Sequence, residues 1–346
     1  MSVSPIISVI IPAFNRVEPL KYTLRSVARA AMTLGEPAET LLIDDGSTPP
    51  LTEQLADFDA ATPVTTVRQA NQGSIVARLT GLRAARGEFV LFLDSDDLVH
   101  PEKFRRQIDA MRTTGAEVSY SDMALVTLGP DYTVADFAPA SVLGRATTPA
   151  DFYLRIQPAP HVPIYRRNYL DVALTTLVVP VSREMDPVGD VWLYYNLAPH
   201  PARIVKVDGP LNAICAHDED RYSRHWERLG VAALQVMEGF FERCPVTSAT
   251  LAARQQAGEC AFESWRRLPR DFDDNYDART LNLWRKAPRG PLRRLGGSGF
   301  RLLAHVLGPE LAGRLLRQLK SGRYVDCATL SSVELQSLLE ALRAGK

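Results

Sequence analysis

An uninterrupted apolar run, Phe89-Val90-Leu91-Phe92-Leu93, ends in three carboxylates within four positions: Asp94, Asp96 and Asp97. With Glu88 the run spans six residues, and Gly87 precedes it. Such a run fits a central strand of a parallel sheet, buried on both faces. Ligands of open α/β sheets gather at the carboxyl ends of such strands. Three carboxylates crowded there repel one another, and a divalent cation removes the repulsion. Hard oxygen donors suit Mg²⁺ or Mn²⁺, above all when phosphate oxygens complete the shell. The stretch therefore reads as a metal–diphosphate site. The competing reading is an N-capping turn, because a helix is expected from Pro101.

The preceding chain alternates strand and helix. Ile6 to Ile11 is a β-branched first strand, stopped by Pro12-Ala13-Phe14-Asn15-Arg16. Glu18 to Leu34 has helical spacing, and Gly35 ends it. A second strand, Leu41 to Ile43, runs into Asp44-Asp45-Gly46-Ser47. A helix is expected over 51–60, a strand over 64–67, a turn at Asn71-Gln72-Gly73 and a helix over 74–85 capped by Ser74. After the acidic cluster come a helix over 101–114 and a strand over 117–120. This order predicts an α/β fold with a mostly parallel sheet and helices on both faces. Asn15, the Asp44-Asp45 pair and the acidic cluster then share one sheet edge, where a nucleotide would sit.

The chain has 346 residues, 46% hydrophobic and 23% charged, with zero formal net charge, so nothing global points to nucleic acid. Cys215, Cys244, Cys260 and Cys327 are scattered, which fits neither a zinc site nor a disulfide scaffold and suits a reducing compartment. The N-terminus reads as a strand and not a signal peptide. No run of 18 apolar residues predicts a spanning helix. These features place the protein in the cytoplasm. Neither a G-x-G-x-x-G after the first strand nor a G-x-x-x-x-G-K-[ST] is present, so dinucleotide and P-loop readings lack their phosphate loops.

Five pieces in register carry a resemblance: Pro12-Ala13-Phe14-Asn15, Ile43-Asp44-Asp45-Gly46-Ser47, Asn71-Gln72-Gly73 with Ala77-Arg78, Gly87-Glu88, and Leu93-Asp94-Ser95-Asp96-Asp97. Together they resemble the inverting family 2 glycosyltransferases of the GT-A fold, closely over residues 6 to about 122 and more loosely to about 225. The resemblance implies a GT-A, Rossmann-like sheet and transfer of a sugar from a nucleoside diphosphate donor, expected to be a UDP-sugar, to a hydroxyl acceptor in glycan or polysaccharide synthesis. It implies Mn²⁺ or Mg²⁺ as cofactor. Asp45 would accept the ring N–H of the base, which thymine and guanine share with uracil. Pro12, Ala13, Phe14 and Asn15 would wall the base pocket, with Asn71 and Gly73 beside it. Arg78 would approach the base or diphosphate, Asp94 and Ser95 the ribose side, and Asp96, Asp97 and His217 the metal. Leu79 stands where the family often has Asn.

Farther on, residues 128–165 show poor periodicity and read as irregular walls and lids. Arg166 and Arg167 read as a basic turn after a short strand. At Gly189-Asp190 the family has an acidic pair opening a helix, so Asp190 inherits the role of general base while the first acid is absent. An N-cap is the other reading of Asp190. From His225 the sequence is helical, with a capping box at Ser331 and Glu334. The expected division is therefore a catalytic domain over 1–225, with a nucleotide-sugar half over 1–122 and an acceptor half over 123–225, and a C-terminal helical region over 226–346.

Residues 285–323 hold ten Lys or Arg and one acid, a formal +9, on apolar-faced helices. That combination suggests a peripheral contact at the inner face of a membrane, or a docking surface for an anionic acceptor. A packed helical layer with a solvated basic face is the alternative, and these helices are also candidate homodimer surfaces. Two other functions fit parts of the pattern. A nucleotidyltransferase would need a basic Gly-rich loop after the first strand, which is missing. A non-catalytic sugar-nucleotide binding module would fit the missing first acid before Asp190.

Overall fold

The computed structural model describes residues 4–214, 225–267, 272–319 and 330–344. His217 lies outside the described residues. Two compact units divide the chain: Met1–Phe152 with Ile156–Thr176 and Pro201–Asp218, and Tyr153–Arg155 with Leu177–His200 and Glu219–Lys346.

The first unit is built on a nine-stranded mixed sheet. Its strands are β1 (Ile7–Ala13), β2 (Ala38–Asp44), β3 (Val64–Arg68), β4 (Phe89–Phe92), β5 (Asp97–Val99), β6 (Val118–Leu128), β7 (Val134–Ser141), β8 (Ile164–Arg166) and β9 (Ile204–Ile214). They lie in the order β3-β2-β1-β4-β8-β6-β9-β5, with β7 paired to β6. The pairs β3–β2, β2–β1, β1–β4 and β6–β9 are parallel. β8, β5 and β7 pair antiparallel. Every residue of β1 is buried, as a largely apolar central strand requires.

Helices cover both faces. α1 (Glu18–Leu34) begins with Pro19 in its first turn and ends at Gly35, whose φ of 71° is left-handed. After α1 come α2 (Leu51–Gln54), α3 (Ser74–Ala84), α4 (Lys103–Thr114) and α5 (Arg167–Thr175). α1 and α4 share a core with Ile7, Val9 and Ile11 of β1 and Phe89 and Leu91 of β4. α3 lies on the opposite face, so close that a Cβ on Gly81 would be 2.2 Å from Ile10 Cγ2. Lys103 is fully buried, its Nζ donating to Gln107 Oε1 (2.6 Å), the Val162 carbonyl (2.8 Å) and Asn212 Oδ1. Burial drives its pKa well below the usual lysine value.

Three local expectations change. The helix over 51–60 stops at Gln54: Leu55 leaves helical geometry (φ −105°, ψ 6°), and the chain goes on in tighter turns, with the Ala56 N–H on the Glu53 carbonyl (3.3 Å) and the Phe58 N–H on the Leu55 carbonyl (3.0 Å). The strand expected over 117–120 extends to Leu128, and part of the supposedly irregular 128–165 stretch is β7, its hairpin partner. Val134 and Phe137 of β7 pack on Leu98, Ala124 and Ala213. Arg166 and Arg167 are structural: Arg166 pairs with Glu88 and donates to the Ala116 carbonyl, and Arg167 donates to the Gly87 carbonyl.

The second unit is helical: α6 (Gly189–Leu197), α7 (Trp226–Arg243), α8 (Leu251–Arg267), α9 (Asp274–Lys286), α10 (Ser298–Leu307), α11 (Pro309–Leu319) and α12 (Ser332–Ala344). Trp192 on α6 donates from Nε1 to the Val179 carbonyl (3.0 Å), and α6 packs on α7. Phe262, Trp265, Leu281, Trp284 and Phe300 form the other core of this unit. The capping box forms: Ser331 N–H donates to Glu334 Oε2 (3.1 Å), and Glu334 N–H to Ser331 Oγ (3.4 Å). Among the described residues no helix is long and apolar enough to cross a membrane.

Candidate active site

The strand order reverses at β1. The chain runs outward through β2 and β3, then returns past β1 to β4. The carboxyl ends of β1 and β4 therefore flank the switch point where α/β sheets bind ligands. Around it stand the turn after β1, the turn after β2, the start of α3 and the acidic turn after β4.

The first two turns are tied together. Pro12 and Ala13 are buried within β1, while Phe14 is 46% exposed. Asn15 has a left-handed φ of 51°. Its N–H donates to Ser47 Oγ (3.0 Å), and its Oδ1 accepts the Thr48 N–H (2.9 Å).

Beneath them lies Asp44, wholly buried. Its Oδ1 accepts the Ser47 N–H (2.8 Å), and its Oδ2 accepts the Leu51 N–H (3.1 Å) and Arg68 Nη1 (2.8 Å). Burial alone would raise its pKa, but the Ser47, Leu51 and Arg68 donors hold it below the usual carboxylate value. Asp45 receives Gln69 Nε2 (2.8 Å) and the Gln72 N–H (2.9 Å) on Oδ1, and the Gly73 N–H (2.8 Å) on Oδ2. It thus binds the β2 turn to the Asn71-Gln72-Gly73 turn. Gly46 is needed there: its φ is 86°, and a Cβ would lie 2.9 Å from the Asn71 backbone nitrogen.

At the acidic turn the crowding expected of the sequence is relieved by the protein itself. Arg78 on α3 is buried and donates to Asp94 Oδ1 (2.6 Å). Arg16, after β1, donates to Asp96 Oδ2 (2.5 Å). Asp97 turns inward, its Oδ2 2.5 Å from Nδ1 of the fully buried His161. Burial raises the Asp97 pKa against the pull of His161. The reading of Asp97 as a metal ligand therefore gives way: the side chain lies in the protein interior on His161, and the first residue of β5 points away from the turn's surface. Asp94 and Asp96 remain partly exposed, with side chains 33% and 17% accessible. Among the described residues no three His, Cys, Asp or Glu side chains are grouped to hold a metal ion by themselves. Two carboxylates suffice for a Mg²⁺-type ion that takes its other ligands from substrate phosphate and water. The hard oxygens of Asp94 and Asp96, each already facing a cationic group, fit that demand.

Thr23 escaped the sequence reading. Its Oγ1 lies 3.0 Å from the Ser95 carbonyl and 2.9 Å from the Asp97 carbonyl, clasping the acidic turn from α1. Ser26, one turn on, accepts the Val99 N–H (3.3 Å). The available signal was two hydroxyls on the buried face of an otherwise apolar helix. Ser95 itself is buried. Asn71 is exposed and Gly73 has a φ of 92° at the start of α3.

Asp190 belongs to the second unit, where it is the second residue of α6 and half-buried. Its Oδ1 accepts the Val191 N–H (2.8 Å). The N-cap is Val188, not Asp190.

This architecture, with its polar turns at one sheet edge, is the GT-A glycosyltransferase fold. Residues 8–134 match the model of glycosyl transferase family 2. The succinoglycan biosynthesis protein ExoO of Rhizobium meliloti (strain 1021) is 30% identical over 154 residues, 42% of this chain and 41% of ExoO. The chain spans less than half the length of several curated relatives. Two solved structures share the fold. S. aureus TarS 1-349 in complex with UDP has a TM-score of 0.52 at 17% identity, over 81% of this chain and 89% of that one. The mannosyltransferase PcManGT from Pyrobaculum calidifontis, in complex with GDP-Man and Mn²⁺, has a TM-score of 0.53 at 13% identity, over 99% and 87%.

Proposed function

We propose that this chain is an inverting, metal-dependent glycosyltransferase that moves a sugar from a nucleoside diphosphate donor, with UDP as the preferred carrier, to a hydroxyl acceptor in glycan or polysaccharide synthesis. The observation that carries the reading is the pairing of Arg16 with Asp96 and Arg78 with Asp94 at the switch point. Two guanidiniums and two carboxylates at one strand end suit a diphosphate and its counter-ion together. The Mn²⁺ and GDP-Man of the mannosyltransferase and the UDP of TarS support the same class of ligand.

In this reading Asp45 accepts the ring N–H of the base, and exposed Phe14 offers the base an apolar face. Arg16 and Arg78 turn to the diphosphate oxygens, whose charge grows as the glycosidic bond breaks. Asp94 and Asp96 would hold Mn²⁺ or Mg²⁺, which when bound supplies further charge for the leaving group. His217 is retained as a candidate third ligand. Asp190 takes the acceptor's hydroxyl proton as that oxygen attacks the anomeric carbon.

A donor-hydrolysis and transfer screen tests this, with UDP-, TDP- and GDP-sugars in Mn²⁺. Release of one diphosphate is expected. Asp190→Asn should keep nucleotide affinity and lose about 10²–10⁴-fold in turnover. Full turnover in that variant would remove Asp190 from the mechanism, and no turnover of any donor by the wild type would favour a binding module.

A further inference from the structure

The α10–α11 pair carries a feature that donor chemistry does not use. Phe300 and Ala304 of α10 and Ala312 of α11 turn inward onto one core with Phe262 and Trp265. α11 lies so close that a Cβ on Gly313 would be 2.5 Å from the Trp265 ring. α10 and α11 also pack on one another, so their outer faces, turned from this core, lie on neighbouring helices. On those faces Leu302 (73% exposed) and Val306 (80%) are one turn apart on α10. Leu311 (56%) and Leu315 are one turn apart on α11, and Leu307 is exposed near the joint. Large apolar side chains exposed together on two packed helices mark an interaction site.

The charge around it has one sign. Glu310 is the only acid from residue 285 to 319, and Arg285 and Arg314 both pair with it. Lys286, Arg289, Arg293 and Arg301 are exposed and have no carboxylate partner among the described residues. Apolar side chains on the outer faces of two helices, with exposed Arg293 and Arg301 beside them that lack a carboxylate partner among the described residues, have the make-up of an element that lies in a bilayer interface. A second copy is a poor occupant, since a two-fold contact would set this basic surface against itself.

We propose that the outer face of α10 and α11 docks on an anionic lipid bilayer, with Leu302, Val306, Leu311 and Leu315 entering the headgroup layer and Arg293 and Arg301 meeting lipid phosphates. This docking does not depend on the reading of the donor site. It holds the chain on the membrane surface.

The experiment is co-sedimentation of the full chain with vesicles of phosphatidylcholine alone or with about a third phosphatidylglycerol, at low and high salt. The wild type should sediment with anionic vesicles at low salt, bind at least tenfold less to neutral vesicles, and weaken as salt rises. The double variant Leu302→Glu/Leu311→Glu changes exposed positions, should keep the wild-type melting temperature, and should lose binding at least tenfold. Arg293→Glu/Arg301→Glu should lose it in proportion to the anionic lipid present. Absence of wild-type sedimentation with anionic vesicles at low salt would overturn the proposal. So would equal sedimentation of Leu302→Glu/Leu311→Glu, or a vesicle-indifferent wild-type dimer that this variant dissociates.

Discussion

Replacing Asp44 by Asn isolates what holds the candidate base-binding turn in place. The exchange is nearly isosteric, so shape is kept while one acceptor becomes a donor. Oδ2 accepts from Leu51 and Arg68, Oδ1 accepts the Ser47 N–H, and the Ser47 hydroxyl also bonds this carboxylate. The better amide orientation keeps its oxygen toward Leu51 and Arg68 and turns its NH₂ against the Ser47 N–H. A buried donor without an acceptor costs about 1–3 kcal/mol. The Arg68 contact also loses its charge assistance, which roughly halves such a bond. Together these give a loss of about 2–4 kcal/mol, or about 5–15 °C in melting temperature for a unit of this size. Urea denaturation of both proteins reads it directly.

The loss also has a pH signature. The folded Asp44 pKa is depressed, so its stabilisation is present above the unfolded value of about 3.9 and fades as pH falls through the folded value. The gap between wild type and Asp44→Asn should therefore narrow below about pH 4. A variant within about 0.5 kcal/mol of the wild type at pH 7 would refute the claim that this buried carboxylate anchors the turn.

Two further substitutions address the acidic turn. Thr23→Val keeps shape but removes the hydroxyl shared by the Ser95 and Asp97 carbonyls. It should cost about 1–2 kcal/mol and weaken Mn²⁺-dependent nucleotide binding; an unchanged urea midpoint would show that the clasp contributes nothing. Arg16→Gln strips Asp96 of its guanidinium, so Mn²⁺ without nucleotide should bind about tenfold more tightly, about 1.4 kcal/mol, by electron paramagnetic resonance of the free ion. Equal affinity in the two proteins would show that Arg16 and the metal do not compete for Asp96.

The parallel half of the sheet was legible because buried strands have a plain signature. β4 is a continuous apolar run, β1 and β2 carry Val9-Ile10-Ile11 and Leu41-Leu42-Ile43, and Gly35 punctuates α1 where only a left-handed residue fits. Leu51, Leu55 and Phe58 have helical spacing, yet the helix ends at Gln54 and the segment goes on as turns, a change that apolar spacing does not register. β7 was missed because Ala135, Ala138, Pro139 and Ala140 dilute the alternation that marks a strand.

At the site, the sequence exposed the carboxylates but not their partners. Arg16, Arg78 and His161 reach Asp96, Asp94 and Asp97 from three separate segments. Local pattern has no access to such pairings, and so it assigned to a metal the whole task of neutralising the turn. Asp45 shows the same limit. Its two oxygens serve the folding of the Gln69–Gly73 segment, a role that no motif spells out and that leaves its part in base recognition to be measured.

The most direct test of a metal-assisted nucleoside diphosphate site is thermal-shift binding with UDP, TDP, GDP and ADP, each in Mn²⁺ and in EDTA, on the wild type and on Asp96→Asn. A ligand at 100 times its dissociation constant stabilises by about 2.7 kcal/mol, well within detection. The account predicts stabilisation of the wild type by one diphosphate, with UDP expected, lost in EDTA and absent from Asp96→Asn even with Mn²⁺. Stabilisation that is indifferent to both EDTA and Asp96→Asn, or no stabilisation by any of the four, would contradict it.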